Sequence, residues 1–102
     1  MKILIDADGC PVVDLTLQAA AEHGLEAILF CDTSHEFKEK NARVVTVDKG
    51  SDSADFALIR QVKPGDIVVT QDYGLAAMVL AKRGYPITQN GKRLTDANID
   101  TL

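Results

Sequence analysis

Short apolar runs alternate along the chain with longer segments in which apolar residues recur every three or four positions. The short runs, rich in β-branched residues, predict strands at residues 2–6, 26–31, 44–47, 66–70 and 85–88. The longer segments predict helices at residues 12–23, at 73–83, and from residue 52 or 53 to about residue 62. Residues 32–41 are polar and fit either one helical turn or an irregular connection.

Turn-forming residues stand at the boundaries of these elements. Pro11 suits the first position of a helix, and Gly24 and Gly84 suit helix ends. The pair Asn90-Gly91 predicts a tight turn that folds residues 92–94 back as a hairpin arm, after which Thr95 begins another helix. The second helix ends at Lys63-Pro64-Gly65.

Strands that alternate with helices, and that are almost continuously apolar, predict a parallel sheet covered on both faces. Right-handed crossovers and short loops favour the strand order 3-2-1-4-5. We therefore expect an α/β three-layer sandwich with a mainly parallel five-stranded sheet, formed by residues 1–102 as a single domain. In this order the direction of winding reverses between strands one and four, which leaves a crevice beyond their C-terminal ends.

Composition narrows the possible partners. The chain has 102 residues, of which 46% are hydrophobic and 25% charged, as in ordinary globular domains. It contains no apolar run long enough for a membrane span, so we expect a cytoplasmic protein without a membrane partner. The net charge of −4 argues against tight nonspecific nucleic-acid binding, unless divalent ions neutralise a cluster of acids.

The remaining special residues favour ordinary structural roles. Cys10 and Cys31 are expected to be small buried thiols. His23 and His35 lack the paired spacing of zinc ligands. Among the aromatic residues, Phe30, Phe37 and Phe56 are expected in the core, which leaves Tyr73 and Tyr85 as possible surfaces for base stacking.

Carboxylates stand where the crevice is predicted. Asp6 is the last residue of strand one and Asp8 comes two residues later, so the two lie on one side if the extended chain persists to Asp8. Asp55 heads the buried stripe of the second helix, and Asp72 heads that of the third. Each of these helix-terminal acids is either a cap or a ligand aimed at the crevice, whereas Asp52 is more readily explained as a cap.

Capping does not explain the pair Asp6 and Asp8, because one residue is enough to cap one helix. The four acids Asp6, Asp8, Asp55 and Asp72 are all expected at one edge of the sheet, and this convergence predicts a metal site. Carboxylates with the hydroxyls of Thr70, Ser51 and Ser53 nearby are hard oxygen ligands that suit Mg²⁺ or Mn²⁺. A divalent ion at an open sheet edge suits phosphodiester hydrolysis.

Four motifs resemble the YaiI/YqxD family of small bacterial proteins over essentially the whole chain. They are I-D-A-D-G-C-P-V, G-S-D-S-A-D, G-D-I-V-V-T-Q-D-Y-G-L-A and L-T-D-A-N-I-D. The family is grouped with PIN-like domains, whose nucleases hold divalent metal in a quartet of acids. The resemblance implies metal-binding roles for Asp6, Asp8, Asp55 and Asp72, with Asp52 possible and Thr70 supporting, and it implies RNA as substrate.

Two departures from the family accompany this resemblance. Gly9 stands where members usually have Ala, which loosens the turn after the first strand. Members also typically continue past the position of Leu102 into a basic segment, so we expect this chain to be shorter than its relatives at the C-terminus.

Three other functions compete with a ribonuclease. The opening strand-D-x-D-G also resembles haloacid-dehalogenase-type phosphatases, in which Asp6 would be the nucleophile. A phosphorelay receiver would need a Lys after strand five, and residues 85–91 contain none. A non-catalytic PIN-like module that binds metal, RNA or protein is the remaining alternative, because a fold does not fix a function.

Overall fold

The computed structural model describes residues 1–7, 13–32, 43–47 and 53–95. These ranges contain five strands and three helices, and none of these helices is both long and apolar enough to cross a membrane. The elements are β1 (Lys2–Asp6), α1 (Val13–Glu22), β2 (Glu26–Asp32), β3 (Arg43–Val47), α2 (Ser53–Gln61), β4 (Ile67–Val69), α3 (Tyr73–Ala81) and β5 (Tyr85–Ile87).

The five strands form one sheet in the order β3-β2-β1-β4-β5, and all four neighbouring pairs are parallel. This confirms the predicted fold class and strand order. β1 lies at the centre, with Ile5 paired to Leu29 of β2 on one side and to Val69 of β4 on the other. The winding therefore reverses between β1 and β4, as the sequence predicts.

Side chains of β1 alternate between two separate cores. Ile3 and Ile5 pack with Val13 and Ala20 of α1, whereas Leu4 packs with residues of α2 and α3 such as Leu58. We call these two sides of the sheet the α1 face and the α2/α3 face. The layers are thus α1, the sheet, and the α2–α3 pair.

The end of α1 follows the prediction. Gly24 adopts a left-handed φ of 67°, and the amide of Leu25 donates a 2.8 Å hydrogen bond to the carbonyl of Ala20. This arrangement closes the last turn of a helix and requires a residue that tolerates positive φ. On the side of α1 that packs against the sheet, Val13 and Ala20 are buried, whereas the neighbouring Ala21 is exposed.

The end of α3 differs from the prediction. The left-handed residue is Arg83, with φ 65°, and the glycine that follows it does not adopt positive φ. Gly84 is instead required by space, because a Cβ there would lie 2.7 Å from Cγ1 of Val79. Gly84 is needed because two chain segments approach closely there. Arg83 adopts the left-handed conformation of the turn, which is unfavourable for a residue with a side chain.

The core assignment of Phe56 was wrong. Its ring is 57% exposed, whereas Phe30 is fully buried as expected. Ala57 and Leu58 of α2 and Val62 directly after it are buried. At 100° per residue, this leaves Phe56 on the outer side of the helix.

The predicted hairpin after β5 is present as a single antiparallel bridge between Ile87 and Arg93. Gly91 has φ 83°, and the Thr88 amide donates a 2.9 Å hydrogen bond to the Lys92 carbonyl. The arm also brings the guanidinium of Arg93 over the ring of Tyr85, 4.6 Å from its centroid.

Side chains tie β1 to β4 at the N-terminal edge of the sheet. The buried carboxylate of Asp66 accepts hydrogen bonds from Lys2 Nζ, from the Lys2 amide at 3.1 Å and from the Lys63 amide at 2.9 Å. Burial raises the pKa of Asp66, but the bonds from Lys2 and Lys63 and the Lys2 charge outweigh it and hold that pKa below its ordinary value.

Candidate functional site

Asp6 ends β1 at the C-terminal edge of the sheet. The amide of Ala7 donates a 2.9 Å hydrogen bond to the Phe30 carbonyl, so the extended chain continues one residue beyond the strand. Leu4 faces the α2/α3 side and Ala7 faces the α1 side, so alternation directs Asp6 toward α2 and α3. The carboxylate therefore lies on the face whose two helices begin near this edge.

Thr70 joins the ends of β1 and β4. Its buried hydroxyl donates a 3.0 Å hydrogen bond to Oδ2 of Asp6 and accepts a 3.0 Å hydrogen bond from the amide of Asp72. Two bonds of 3.0 Å in series bring the Asp72 amide within about 6 Å of the Asp6 carboxylate. The structure thus brings Asp6, Thr70 and Asp72 together at the crevice.

Asp72 is the N-cap of α3. Its Oδ1 accepts hydrogen bonds from the amides of Gly74 at 2.8 Å and Leu75 at 3.2 Å. Of the two roles that the sequence left open, the structure shows the cap. Both bonds use Oδ1, so Oδ2 takes no part in the cap.

Asp55 lies in the first turn of α2 and is half-buried. α2 and α3 pack against each other on one face of the sheet, so Asp55 and Asp72 both lie near the helix ends at the C-terminal sheet edge. Across residues 1–7, 13–32, 43–47 and 53–95, however, no three His, Cys, Asp or Glu residues form a group able to hold a metal ion. Asp6, Asp55 and Asp72 therefore do not make such a site by themselves.

Part of the predicted constellation lies outside the described residues. This applies to Asp8, Asp52 and Ser51, and to the side chain of Ser53, whose backbone begins α2. The roles predicted for these four residues stay predictions.

The donors that the structure does bring together fit the chemistry of Mg²⁺ or Mn²⁺. These ions prefer carboxylate oxygens, and Mg²⁺ commonly keeps several waters while using only one or two protein carboxylates. Asp6 would supply one carboxylate, held by Thr70, and Asp72 would supply a second from the start of α3. Asp8 is the residue best placed in the sequence to add a third.

A separate apolar groove of about 380 Å³ lies on the opposite, α1 face of the sheet. Its lining includes Leu15 of α1, Ile67 and Val69 of β4, and Ile87 of β5, but neither Asp6 nor Thr70. The groove is thus distinct from the crevice that holds the carboxylates.

Sequence reasoning missed two features at this edge. The side chain of Gln71 accepts a 2.8 Å hydrogen bond from the amide of Gln89, which ties the loop between Thr70 and Asp72 to the turn after β5. No sequence pattern predicts this long-range contact. The exposure of Phe56, next to Asp55, could have been predicted from the helical angle between it and the buried stripe.

Comparisons with known proteins agree with this fold. The model of the family described as "Uncharacterized BCR, YaiI/YqxD family" matches residues 4–102. UPF0178 proteins of Exiguobacterium sibiricum and Ruminiclostridium cellulolyticum are 55% and 52% identical over all 102 residues. The chain spans 69% and 67% of the length of these two relatives, or about two thirds.

Among solved structures, Rae1 (YacP) from Bacillus subtilis is similar in fold. The TM-score is 0.62 over 99% of this chain and 76% of that one, at 15% sequence identity. An identity this low shows a shared three-layer α/β architecture and nothing about the chemistry. The match to the family model and the similarity to its members over the whole chain show that this protein belongs to the YaiI/YqxD family.

Proposed function

We propose that this chain is a divalent-metal-dependent phosphodiester hydrolase that acts on RNA. One observation carries the proposal: the Thr70 hydroxyl bonds both the Asp6 carboxylate and the Asp72 amide. The contact lies where the winding of the sheet reverses, which is where open α/β sheets bind their ligands.

Each residue has a distinct task in this proposal. Thr70 holds Asp6 in one orientation, and the amides of Gly74 and Leu75 hold Asp72. Asp6 and Asp72 bind Mg²⁺ or Mn²⁺, and Asp8 and Asp55 complete the cluster or orient the attacking water. The bound ion supplies an acidified water and a positive charge for a phosphate oxygen.

The test is Mn²⁺-dependent cleavage of single-stranded RNA by the wild type, Asp6→Asn and the double variant Asp6→Asn, Asp72→Asn. Loss of one ligand should reduce the rate at least as much as loss of a residue that orients a ligand, which is about 10- to 100-fold. Asp14→Asn is the matched control, because Asp14 is an exposed acid in the first turn of α1, which packs on the opposite face. Cleavage that persists in the double variant would refute the proposal.

A non-catalytic module that binds metal or RNA is the second candidate. It is favoured by the finding that the described acids form no group of three. This candidate predicts calorimetric Mn²⁺ binding that Asp6→Asn abolishes, together with no cleavage by the wild type. A phosphatase of the haloacid-dehalogenase type would instead give an aspartyl adduct of Asp6 with beryllium fluoride.

A further inference from the structure

Two aromatic side chains are exposed directly beside the candidate acids. Phe56 follows Asp55 in the first turn of α2 and is 57% exposed, and Tyr73 follows Asp72 at the start of α3 and is 42% exposed. Isolated exposed apolar residues are common on protein surfaces. Here, however, the two residues lie in the first turns of neighbouring helices, Phe56 as the fourth residue of α2 and Tyr73 as the first residue of α3, and each follows an acid in the sequence.

The packing of the helices places both rings at the same edge. Leu58 of α2 and Val79 of α3 belong to one core on the α2/α3 face. Lys82 Nζ, at the end of α3, donates a 2.6 Å hydrogen bond to the Ile59 carbonyl of α2. Because both helices follow parallel strands of one sheet, their first turns lie toward the C-terminal edge that carries Asp6 and Thr70.

We infer that Phe56 and Tyr73 form a stacking surface for the unpaired bases of single-stranded RNA that crosses the carboxylate site. The inference rests on the proposed function and specifies its substrate as single-stranded. Exposed aromatic faces bind bases of any sequence by stacking, and a duplex does not offer its base faces for this contact.

Charge also favours stacking over attraction to phosphates. The first turns of α2 and α3, residues 53–56 and 73–76, contain no Lys or Arg, and the whole chain has a net charge of −4. Few counterions would therefore be released on binding. We expect the affinity for single-stranded RNA to depend only weakly on salt between about 50 and 200 mM.

The experiment is fluorescence anisotropy with a labelled single-stranded RNA of about 12 nucleotides and with the matched duplex. The proteins are the full chain, Phe56→Ala, Tyr73→Ala, the aromatic replacements Phe56→Tyr and Tyr73→Phe, and Met78→Ala. Met78 is the matched control, because it is as exposed as Tyr73, at 42%, but lies more than one turn further along α3. Circular dichroism confirms that each variant is folded.

Each alanine variant should bind single-stranded RNA about 5- to 100-fold more weakly, while the aromatic replacements and Met78→Ala bind as the wild type does. Equal affinity for duplex and single strand, or unchanged binding by both alanine variants, would overturn the inference. Failure of the proposed function has a different outcome, in which the alanine variants lose binding although the wild type does not cleave. If the alanine variants bind and cleave normally while Asp6→Asn does not cleave, the stacking surface is wrong and the hydrolase stands.

Discussion

The hydroxyl of Thr70 bonds Oδ2 of Asp6 at 3.0 Å, although the two residues are 64 positions apart in the chain. Thr70→Val keeps the shape of the side chain but removes the donor to Asp6 and the acceptor for the Asp72 amide. We expect Mn²⁺ affinity to fall about 10- to 100-fold, as for other partners that orient metal ligands. Isothermal titration of Mn²⁺ measures the effect.

Thr70→Ser is the control for this prediction, because serine retains the hydroxyl and should bind Mn²⁺ nearly as the wild type does. Equal Mn²⁺ affinity in the valine and serine variants would show that the hydroxyl does not orient Asp6 for metal binding.

Substitution of Asp72 separates its capping role from its proposed role in metal binding. Asn caps helices about as well as Asp, so Asp72→Asn should leave the free energy of unfolding nearly unchanged while it weakens Mn²⁺ binding. Asp72→Ala removes the acceptor for the amides of Gly74 and Leu75 and should also destabilise the fold by about 1 kcal/mol. Urea unfolding and calorimetry on the same samples distinguish the two effects. Mn²⁺ binding that survives in both variants would limit Asp72 to the cap.

The ion pair of Lys2 and Asp66 predicts a specific pH dependence of stability. The pKa of Asp66 is lower in the folded protein than in the unfolded chain, so its contribution is fully present above the ordinary value of 3.8. That contribution is lost as the pH falls through the lower, folded pKa, because the unfolded state then binds the extra proton. Unfolding free energies measured from neutral pH down to acid should show this loss.

Asp66→Asn should destabilise the protein by about 1–3 kcal/mol at neutral pH and should flatten the acid part of the pH profile. Asp66 lies at the edge of the sheet opposite the candidate site, so Mn²⁺ affinity at a temperature where the variant is folded should not change. An acid profile identical to that of the wild type would contradict this account of the Asp66 pKa.

The turn after α3 offers a stabilising substitution. Arg83 has φ 65°, a conformation that costs a non-glycine residue about 1 kcal/mol, so Arg83→Gly should raise the free energy of unfolding by about 0.5 kcal/mol. Gly84→Ala should have the opposite effect and cost about 1–3 kcal/mol, because its Cβ would lie 2.7 Å from Val79 Cγ1. Thermal unfolding of both variants tests the pair. Stabilisation by Gly84→Ala would show that this packing is looser than the structure indicates.

The sequence was sufficient to predict the layers and the strand order. The spacing of apolar residues distinguishes helices from strands, and the right-handed preference of crossover connections leaves few possible strand orders. It also identified Thr70 and Asp72 as residues at the crevice. The turn at Arg83 could not be predicted, since a glycine next in sequence is the usual left-handed residue. The exposure of Phe56 was missed because aromatic residues are generally buried, and a preference of residue type was given more weight than helical geometry.

The two polar links between β1 and β4 have the same sequence separation. Lys2 with Asp66 and Asp6 with Thr70 are each 64 residues apart and lie at opposite ends of the paired strands. If β4 slid along β1 by a single residue, both links would break together and every side chain of the strand would turn toward the wrong layer. The hydrogen bonds at both ends of β4 therefore favour the native register of β4 against β1. The contact between Asp6 and Thr70 at the carboxylate crevice therefore requires that two segments 64 residues apart in the chain have already paired in the correct register.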